Sequence, residues 1–248
     1  MLIRKRVIPV LLIHKGGLYK SVKFGKYKYV GDPINAVRIF NDKEVDELVI
    51  LDIDASKSKR GPALEQITEI VSEAFMPVAY GGGINTIEQA SALFYNGVEK
   101  VILNSSILVK PELITQIAEQ FGSQSIIASI DYKAKRIVGG NKVYSHADVK
   151  HRQTEILSFV KLCEKMGAGE ILLNCVDRDG TYQGYDSVTL KQIADAVSIP
   201  VIACGGASTK DDFIKAMEHN ASAMAAGSMF VFQRPNQAVL ISYQSFNE

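Results

Sequence analysis

The chain has 248 residues, of which 47% are hydrophobic and 22% are charged, and its formal net charge is +1. These values exclude a disordered chain, and the balanced charge provides no basic surface for nucleic acid or an anionic membrane. Three cysteines without a C-x-x-C pair indicate neither a disulfide framework nor a zinc site. The apolar run Val7–Ile13 is too short to span a bilayer, so we expect a cytoplasmic enzyme or enzyme subunit.

Eight short apolar runs recur along the chain, and their continuous character is typical of parallel strands covered on both faces. They are Val7–Ile13, Glu47–Ile53, Pro77–Tyr80, Lys100–Leu103, Ser125–Ile130, Gly169–Cys175, Pro200–Cys204 and Ala223–Ala226. Helical periodicity lies between most of them, at Glu65–Phe75, Thr154–Met166, Thr189–Val197 and Lys210–Glu218. This alternation predicts an α/β fold, a (β/α)8 barrel formed by one domain over residues 1–248, with an open doubly wound sheet as the alternative.

An internal repeat supports the barrel. The segment that ends in Gly83 returns as the segment that ends in Gly206, and the same separation of 123 residues takes Glu47 to Glu170. A slightly shorter separation of 119 residues relates Leu12, on the first strand, to Asp131, on the fifth. The repeat predicts two fused half-barrels that close into one domain.

Glycines and small polar residues follow four of the predicted strands, at the rim where barrels of this kind carry their ligands. Glycine lets backbone N–H groups approach a ligand, and a following helix N-terminus favours an anion. The pattern predicts two pseudo-symmetric phosphate sites for a bis-phosphate ligand, at Gly82, Gly83, Asn104 and Ser105 and at Gly205, Gly206, Gly227 and Ser228. The alternative is that these glycines only form tight strand-to-helix turns.

Two acidic positions at strand ends are candidates for chemistry at the same rim. Asp131 closes the fifth apolar run, and a carboxyl group in a cleft of low dielectric tends toward the raised pKa that a general acid or base needs. Asp179-Gly180 follows the sixth run and predicts a tight turn with exposed N–H groups. A helix cap or a loop salt bridge is the simpler interpretation of either aspartate.

Charged residues also stand at the starts of strands, at the opposite face of the barrel. Arg6, Glu47, Lys100 and Glu170 would form a ring of alternating charge near the axis. The ring is either a structural plug or a gate for passage along the axis, and the residues alone favour the plug. The four histidines, among them His14, have no partner at metal spacing and are interpreted as solvated loop or cap residues.

From the first strand to about Phe230 the chain resembles the HisF family, the synthase subunit of imidazole glycerol phosphate synthase. The segments that carry the resemblance are Gly31-Asp-Pro33, Asp46-Glu-Leu48, Gly81-Gly-Gly-Ile84, Phe121-Gly-Ser-Gln124, Ile130-Asp131, Gly167-Ala-Gly-Glu-Ile-Leu172, Asp177-Arg-Asp-Gly-Thr181 and Gly205-Gly-Ala207. The family fold is a (β/α)8 barrel. The resemblance implies a HisH-like glutaminase partner on the N-terminal face and passage of ammonia along the axis.

The resemblance assigns roles to several residues. Arg6, Glu47, Lys100 and Glu170 match the family's ammonia gate, which reverses the interpretation of the charge ring as a plug. Glu99 matches a rim position that contacts the glutaminase, and Lys20 matches a loop lysine that closes over the substrate. Asp131 matches one of the two catalytic aspartates. No metal or cofactor is implied.

The other catalytic aspartate of the family falls at Leu12, which transfers no proton. Together with Gly31-Asp-Pro-Ile-Asn35 and the C-terminal segment, this departure resembles the divergent WbuZ branch, which is associated with surface-polysaccharide biosynthesis. The first hypothesis is therefore a subunit that relays ammonia for amidation of a nucleotide-linked sugar, with an ATP-dependent sugar amidotransferase as a further partner. The alternatives are a working cyclase of histidine biosynthesis, in which His14 would replace the lost aspartate, and a non-catalytic scaffold that activates a glutaminase.

Overall fold

A computed structural model describes residues 5–134, 141–145 and 154–243. The strands are β1 (Arg6–His14), β2 (Gly17–Val22), β3 (Gly25–Gly31), β4 (Leu48–Asp52), β5 (Val78–Gly81), β6 (Lys100–Leu103), β7 (Ile126–Lys133), β8 (Lys142–Val143), β9 (Glu170–Cys175), β10 (Val201–Cys204), β11 (Ala223–Ala226), β12 (Phe232–Gln233) and β13 (Ala238–Val239). The helices are α1 (Pro33–Asp42), α2 (Leu64–Ser72), α3 (Ile87–Tyr95), α4 (Ser105–Val109), α5 (Glu112–Phe121), α6 (Ile156–Lys165), α7 (Ser187–Ala194), α8 (Lys210–Glu218) and α9 (Ser228–Val231).

Eight of these strands form a closed parallel barrel in the order β1, β4, β5, β6, β7, β9, β10 and β11. The closure is made by β11, which pairs in parallel with β1 from Arg6 opposite Ala223 to Pro9 opposite Ala226. Each of the eight predicted apolar runs became one of these strands. The (β/α)8 barrel is thereby confirmed, and the open sheet is excluded.

The barrel interior is apolar because alternate residues of each strand point to the axis. Ten buried residues, contributed by all eight strands, fill it: Ile8, Val10, Val49, Ala79, Ile102, Ile127, Leu172, Ile202, Ala223 and Ala225. A second, larger cluster packs the outer faces of the strands against the helices. The strands are therefore buried on both faces, which explains their continuous apolar runs.

The two halves repeat each other in detail, as predicted. Thr86 at the start of α3 and Thr209 at the start of α8 both form capping boxes, and they lie 123 residues apart. At the same separation, Gly82 and Gly205 both have positive φ, of 135° and 88°. The half-barrels therefore share a helix cap and a strand-end glycine of positive φ as well as the sequence pattern.

The hairpin of β2 and β3 was not among the predicted elements. It extends from the C-terminal end of β1 and packs against the loop after β9, where the Lys23 amide donates to the Asp179 carbonyl at 3.0 Å. Of the four histidines that the sequence analysis interpreted as loop or cap residues, His146 and His151 lie outside the described residues. Within the described ranges, no helix is long and apolar enough to cross a membrane.

Candidate functional site

The residues predicted for the C-terminal rim line one cleft at the mouth of the barrel. All twelve contribute to its wall: Lys20, Gly82, Gly83, Asn104, Ser105, Asp131, Asp179, Gly180, Gly205, Gly206, Gly227 and Ser228. The floor includes Val10, Ile102 and Leu172, which belong to the apolar interior of the barrel. The cleft therefore lies directly above the barrel axis.

Asp131 lies within this cleft, near the C-terminal end of β7. Its two carboxylate oxygens accept hydrogen bonds from Asn104 Nδ2 at 3.0 Å and from Asn174 Nδ2 at 3.1 Å. Burial raises the pKa of Asp131 to about 7, although the two amides lower it. The carboxyl group is therefore partnered by amides rather than unpaired, and near neutral pH it can both donate and accept a proton.

Lys20 reaches the cleft from strand β2 of the hairpin. Its side chain is buried, and its Nζ donates to the Val10 carbonyl. Burial lowers the pKa of Lys20 to about 8, against the opposing effect of the Asp179 carboxylate. Burial likewise raises the pKa of Asp179, against Lys20 and Ser21. Both side chains line the cleft at the edge that the hairpin covers.

Two of the strand-end glycines allow close backbone approaches that a side chain would block. A Cβ on Gly82 would lie 2.5 Å from the Asp52 carbonyl oxygen, and one on Gly205 would lie 2.6 Å from Asn174 Oδ1. Both also have positive φ. The glycines are therefore needed to build the rim, and the tight-turn interpretation and the ligand-binding interpretation both remain compatible with them.

The two predicted phosphate sites have the same local backbone. Ser105 is the first residue of α4 and Ser228 is the first residue of α9, each after a residue with negative φ and ψ, Asn104 and Gly227. Both helices are short, with five and four residues. One site lies at the ends of β5 and β6, the other lies at the ends of β10 and β11, and both share the cleft with Asp131.

The wall opposite Asp131 includes an apolar side chain where the family pattern has an aspartate. Leu12 lies on β1, which is the fourth strand from β7 in either direction around the barrel, and its side chain lines the cleft. The prediction that His14 is solvated is wrong, because its Nδ1 lies 2.7 Å from Asp54 Oδ1 and its ring stacks on Tyr27 at 4.6 Å. His14 is not among the residues of the cleft wall. Its position therefore gives no support to a replacement of the lost aspartate.

The predicted charge ring is present at the opposite end of the barrel. Arg6 lies 2.5 Å from Glu47 and 2.7 Å from Glu170, and Lys100 lies 3.1 Å from Glu47 and 2.8 Å from Glu170. Burial favours a raised pKa for Glu170, but Arg6 and Lys100 outweigh it and hold the pKa below its usual value. The four side chains form a closed ring of alternating charge, so each carboxylate has two cationic partners.

The ring and the cleft lie on one axis because of strand periodicity. On β6 and β9, Lys100 and Glu170 precede Ile102 and Leu172 by two residues, and each pair points inward. Glu99 precedes Lys100 and is exposed at the N-terminal face. Its backbone N–H donates to the Val78 carbonyl at 2.9 Å, which ties the residue to the start of β5.

Sequence reasoning missed Asn174 and the hairpin residues Phe24 and Tyr27, which also line the cleft. Asn174 had a visible signal, since it is the one amide in the apolar strand Glu170–Cys175. The hairpin showed only alternating aromatic and lysine residues and no apolar run, so its strands were not predicted. Across the described ranges, no group of three or more His, Cys, Asp or Glu side chains could hold a metal ion.

Comparison with known proteins gives a consistent result over nearly the whole chain. A family model described as "Histidine biosynthesis protein" matches residues 6–235. A Pseudomonas aeruginosa protein provisionally named imidazole glycerol phosphate synthase subunit hisF2 is 50% identical over 100% of this chain and 98% of its own length. A provisionally named hisF3 subunit of Vibrio vulnificus is 45% identical, over 100% of this chain and 95% of its own. Imidazole glycerol phosphate synthase subunit HisF of Prosthecochloris aestuarii is 39% identical, over 94% and 92%.

Proposed function

Because the chain belongs to the HisF family of imidazole glycerol phosphate synthase subunits, we propose that it is an ammonia-accepting barrel subunit. A glutaminase docks on its N-terminal face, and ammonia passes through the charge ring and along the axis to a phosphorylated compound in the cleft. Arg6, Glu47, Lys100 and Glu170 are the gate of this path. Glu99 is part of the docking face, and Lys20 and the two glycine loops hold the phosphorylated compound.

The observation that carries this proposal is the placement of the charge ring and the cleft at the two ends of one apolar axis. Ammonia is small and neutral, so an apolar interior guides it without binding it. The ammonium ion is excluded, because a charge transferred into such an interior without a partner is costly. A ring of paired charges at the entrance holds the path closed until its ion pairs rearrange.

We also propose that this chain does not cyclise the compound that accepts the ammonia. Leu12 lines the cleft where the family pattern has its first catalytic aspartate, and His14 is held by Asp54 instead. The reaction that we propose is amidation of a nucleotide-linked sugar in surface-polysaccharide biosynthesis, as in the WbuZ branch that the sequence resembles, together with an ATP-dependent sugar amidotransferase. In that reaction the barrel supplies ammonia and does not itself catalyse a cyclisation.

The second candidate function is the cyclase of histidine biosynthesis. The observation that favours it is Asp131, which is buried in the cleft with a pKa of about 7 and is suited to acid–base catalysis. The two phosphate loops and Lys20 favour it as well. Against it stands the lost aspartate at Leu12, since one member of an acid–base pair is typically worth about 10²- to 10⁴-fold in rate.

The experiment that separates the two is a cyclase assay of the purified chain. Excess ammonium salt replaces the glutaminase, and the bis-phosphate of the histidine pathway is the substrate, so only the barrel's own chemistry is measured. The ammonia-relay proposal predicts binding of the bis-phosphate without turnover, and Leu12→Asp should restore measurable turnover. Turnover by the unaltered chain would establish the cyclase instead.

Docking of the glutaminase is tested separately. Glu99→Lys reverses one charge on the N-terminal face and should weaken binding of a HisH-type glutaminase, whereas Glu65→Lys, in the exposed first turn of α2 at the other end of the barrel, is the matched control. Equal binding of both variants would remove Glu99 from the docking face.

A further inference from the structure

The side of the cleft that faces Asp131 carries a group of apolar side chains beside polar ones. Asn104, Asp131 and Asn174 line the cleft at the ends of β6, β7 and β9. On the side formed by β1, β4 and the hairpin, the polar lining residues are Lys20, Ser21, Asp52, Ser56 and Lys57, and the other lining residues are apolar or aromatic. Proton transfer to a bis-phosphate does not by itself require these apolar and aromatic side chains.

Two strands and the hairpin contribute the apolar side chains. Leu12 on β1 and Leu51 on β4 are register partners whose side chains pack onto the barrel interior. Ile53 follows the end of β4 and also lines the cleft. Phe24 and Tyr27 from the hairpin complete the wall. These five side chains, which we name the apolar corner, surround a partly open space rather than a packed core, because each is only partly buried or exposed.

Tyr27 is held in place from two sides. Its ring stacks on His14 with centroids 4.6 Å apart, and its hydroxyl accepts a hydrogen bond from Lys57 Nζ at 3.2 Å. Asp54 in turn fixes His14 at 2.7 Å. Side chains fixed before a ligand arrives lose little conformational entropy on binding, so this wall is preorganised.

We propose that the apolar corner is a subsite for an apolar or ring-shaped group of a phosphorylated ligand. The inference rests on the proposed function in one respect, the binding of a phosphorylated compound by the glycine loops. The phosphate occupies a glycine loop, and the attached group packs against Leu12, Ile53 and Tyr27. Leucine at position 12 is then a residue that determines specificity, and not only the loss of an acid–base group.

The test compares phenyl phosphate with inorganic phosphate, in which a hydroxyl replaces the phenoxy group, with affinities measured by isothermal titration calorimetry. Burial of one face of a phenyl ring predicts about tenfold tighter binding of phenyl phosphate. Leu12→Asn replaces an apolar side chain with a polar one, so it should abolish the preference for phenyl phosphate. Because it keeps the size of the side chain and adds no charge, it should leave binding of inorganic phosphate unchanged.

A second pair of variants keeps the test decisive if Leu12→Asn folds poorly. Tyr27→Ser should also reduce the preference, whereas Tyr29→Ser changes a more exposed tyrosine of the same hairpin that does not line the cleft. Equal affinity for the two probes, or a preference that survives both Leu12→Asn and Tyr27→Ser, would overturn the apolar subsite and leave the proposed function standing. Binding of neither probe would overturn the phosphorylated ligand of the proposed function, and the subsite with it.

Discussion

The side-chain amide of Asn174 donates to Asp131 at 3.1 Å, and the two residues are direct register partners on the neighbouring strands β9 and β7. The amide oxygen of Asn174 is buried and has no hydrogen-bond partner among the described residues. An amide N–H favours the ionised carboxylate, whereas burial favours the neutral acid. The pKa of Asp131, about 7, is the outcome of these opposing effects.

This relationship predicts that Asn174→Leu raises the pKa of Asp131 above its value in the unaltered chain. The leucine removes a donor to the charged form, and the carboxyl group stays buried, so the neutral acid is favoured further. The measurement is a ¹³C NMR titration of the Asp131 carboxyl carbon. Asn35→Ala, on the exposed start of α1, is the control, and a pKa unchanged or lowered in Asn174→Leu would contradict the assignment.

The same carboxyl group should make stability depend on pH. Its pKa in the folded chain, about 7, lies above the value of about 3.9 expected when unfolded, so the folded state binds the proton more tightly. The free energy of unfolding should therefore fall between about pH 4 and pH 7 and level off above, by up to about 4 kcal/mol in total.

Asp131→Asn removes this contribution, because an amide does not ionise. Urea unfolding at pH 5 and pH 8 should show that the variant gains stability relative to the unaltered chain as the pH rises. Asp195→Asn is a suitable control, since this exposed aspartate has a lowered pKa owing to hydrogen bonds from Lys191 and Asn220. A stability difference that does not change with pH would show that Asp131 is ionised in both states.

The barrel could be predicted from the sequence because its determinants are local or repeated. Each strand is a continuous apolar run, and the 123-residue repeat aligns β5 with β10 and β6 with β11 without any shift. The hairpin of β2 and β3 was missed because its half-exposed residues, such as Tyr27 and Tyr29, show no apolar run. Its position depends on contacts with the distant loop at Asp179, which no local pattern encodes.

In the site, too, local features could be predicted from the sequence, whereas contacts between distant segments could not. Residues at strand ends converge at one rim whatever their separation, so the glycine loops and Asp131 could be placed together from the sequence. Asn174 could not be assigned its role, because its contact with Asp131 spans 43 residues and depends on the register of β7 against β9. The pairing of His14 with Asp54 likewise arises only when β1 and β4 lie side by side.

The charge ring predicts a functional change when one cation is removed. In Lys100→Met, Glu170 and Glu47 each keep only Arg6 as a cationic partner. An ion pair broken from one side commonly costs about 3–5 kcal/mol when fully buried, and the partial exposure of Lys100 makes the expected loss smaller. The opened ring should also let ammonia escape, so that more glutamine is hydrolysed for each product formed.

The measurement is the ratio of glutamine consumed to product released in the reconstituted complex with its glutaminase. Lys161→Met, on the exposed side of α6, removes a lysine of the same size away from the ring and should leave the ratio unchanged. An unchanged ratio in Lys100→Met, together with lowered stability, would assign the ring a structural role alone.

Gly205→Ala tests whether the rim glycines are required by space or only by backbone conformation. The new methyl group would lie 2.6 Å from Asn174 Oδ1 and 2.8 Å from the Cys175 carbonyl oxygen, so Asn174 must shift from Asp131. Gly16→Ala is the matched control, since Gly16 has a similar φ of 79° and nothing within 4 Å of an added methyl group.

Both variants should lose about 1 kcal/mol of unfolding free energy because of the positive φ. Gly205→Ala should lose a further 1–3 kcal/mol or so through overpacking, and it alone should shift the pKa of Asp131 and weaken binding of inorganic phosphate. Equal losses of unfolding free energy in the two variants would show that the backbone conformation alone requires glycine at this rim.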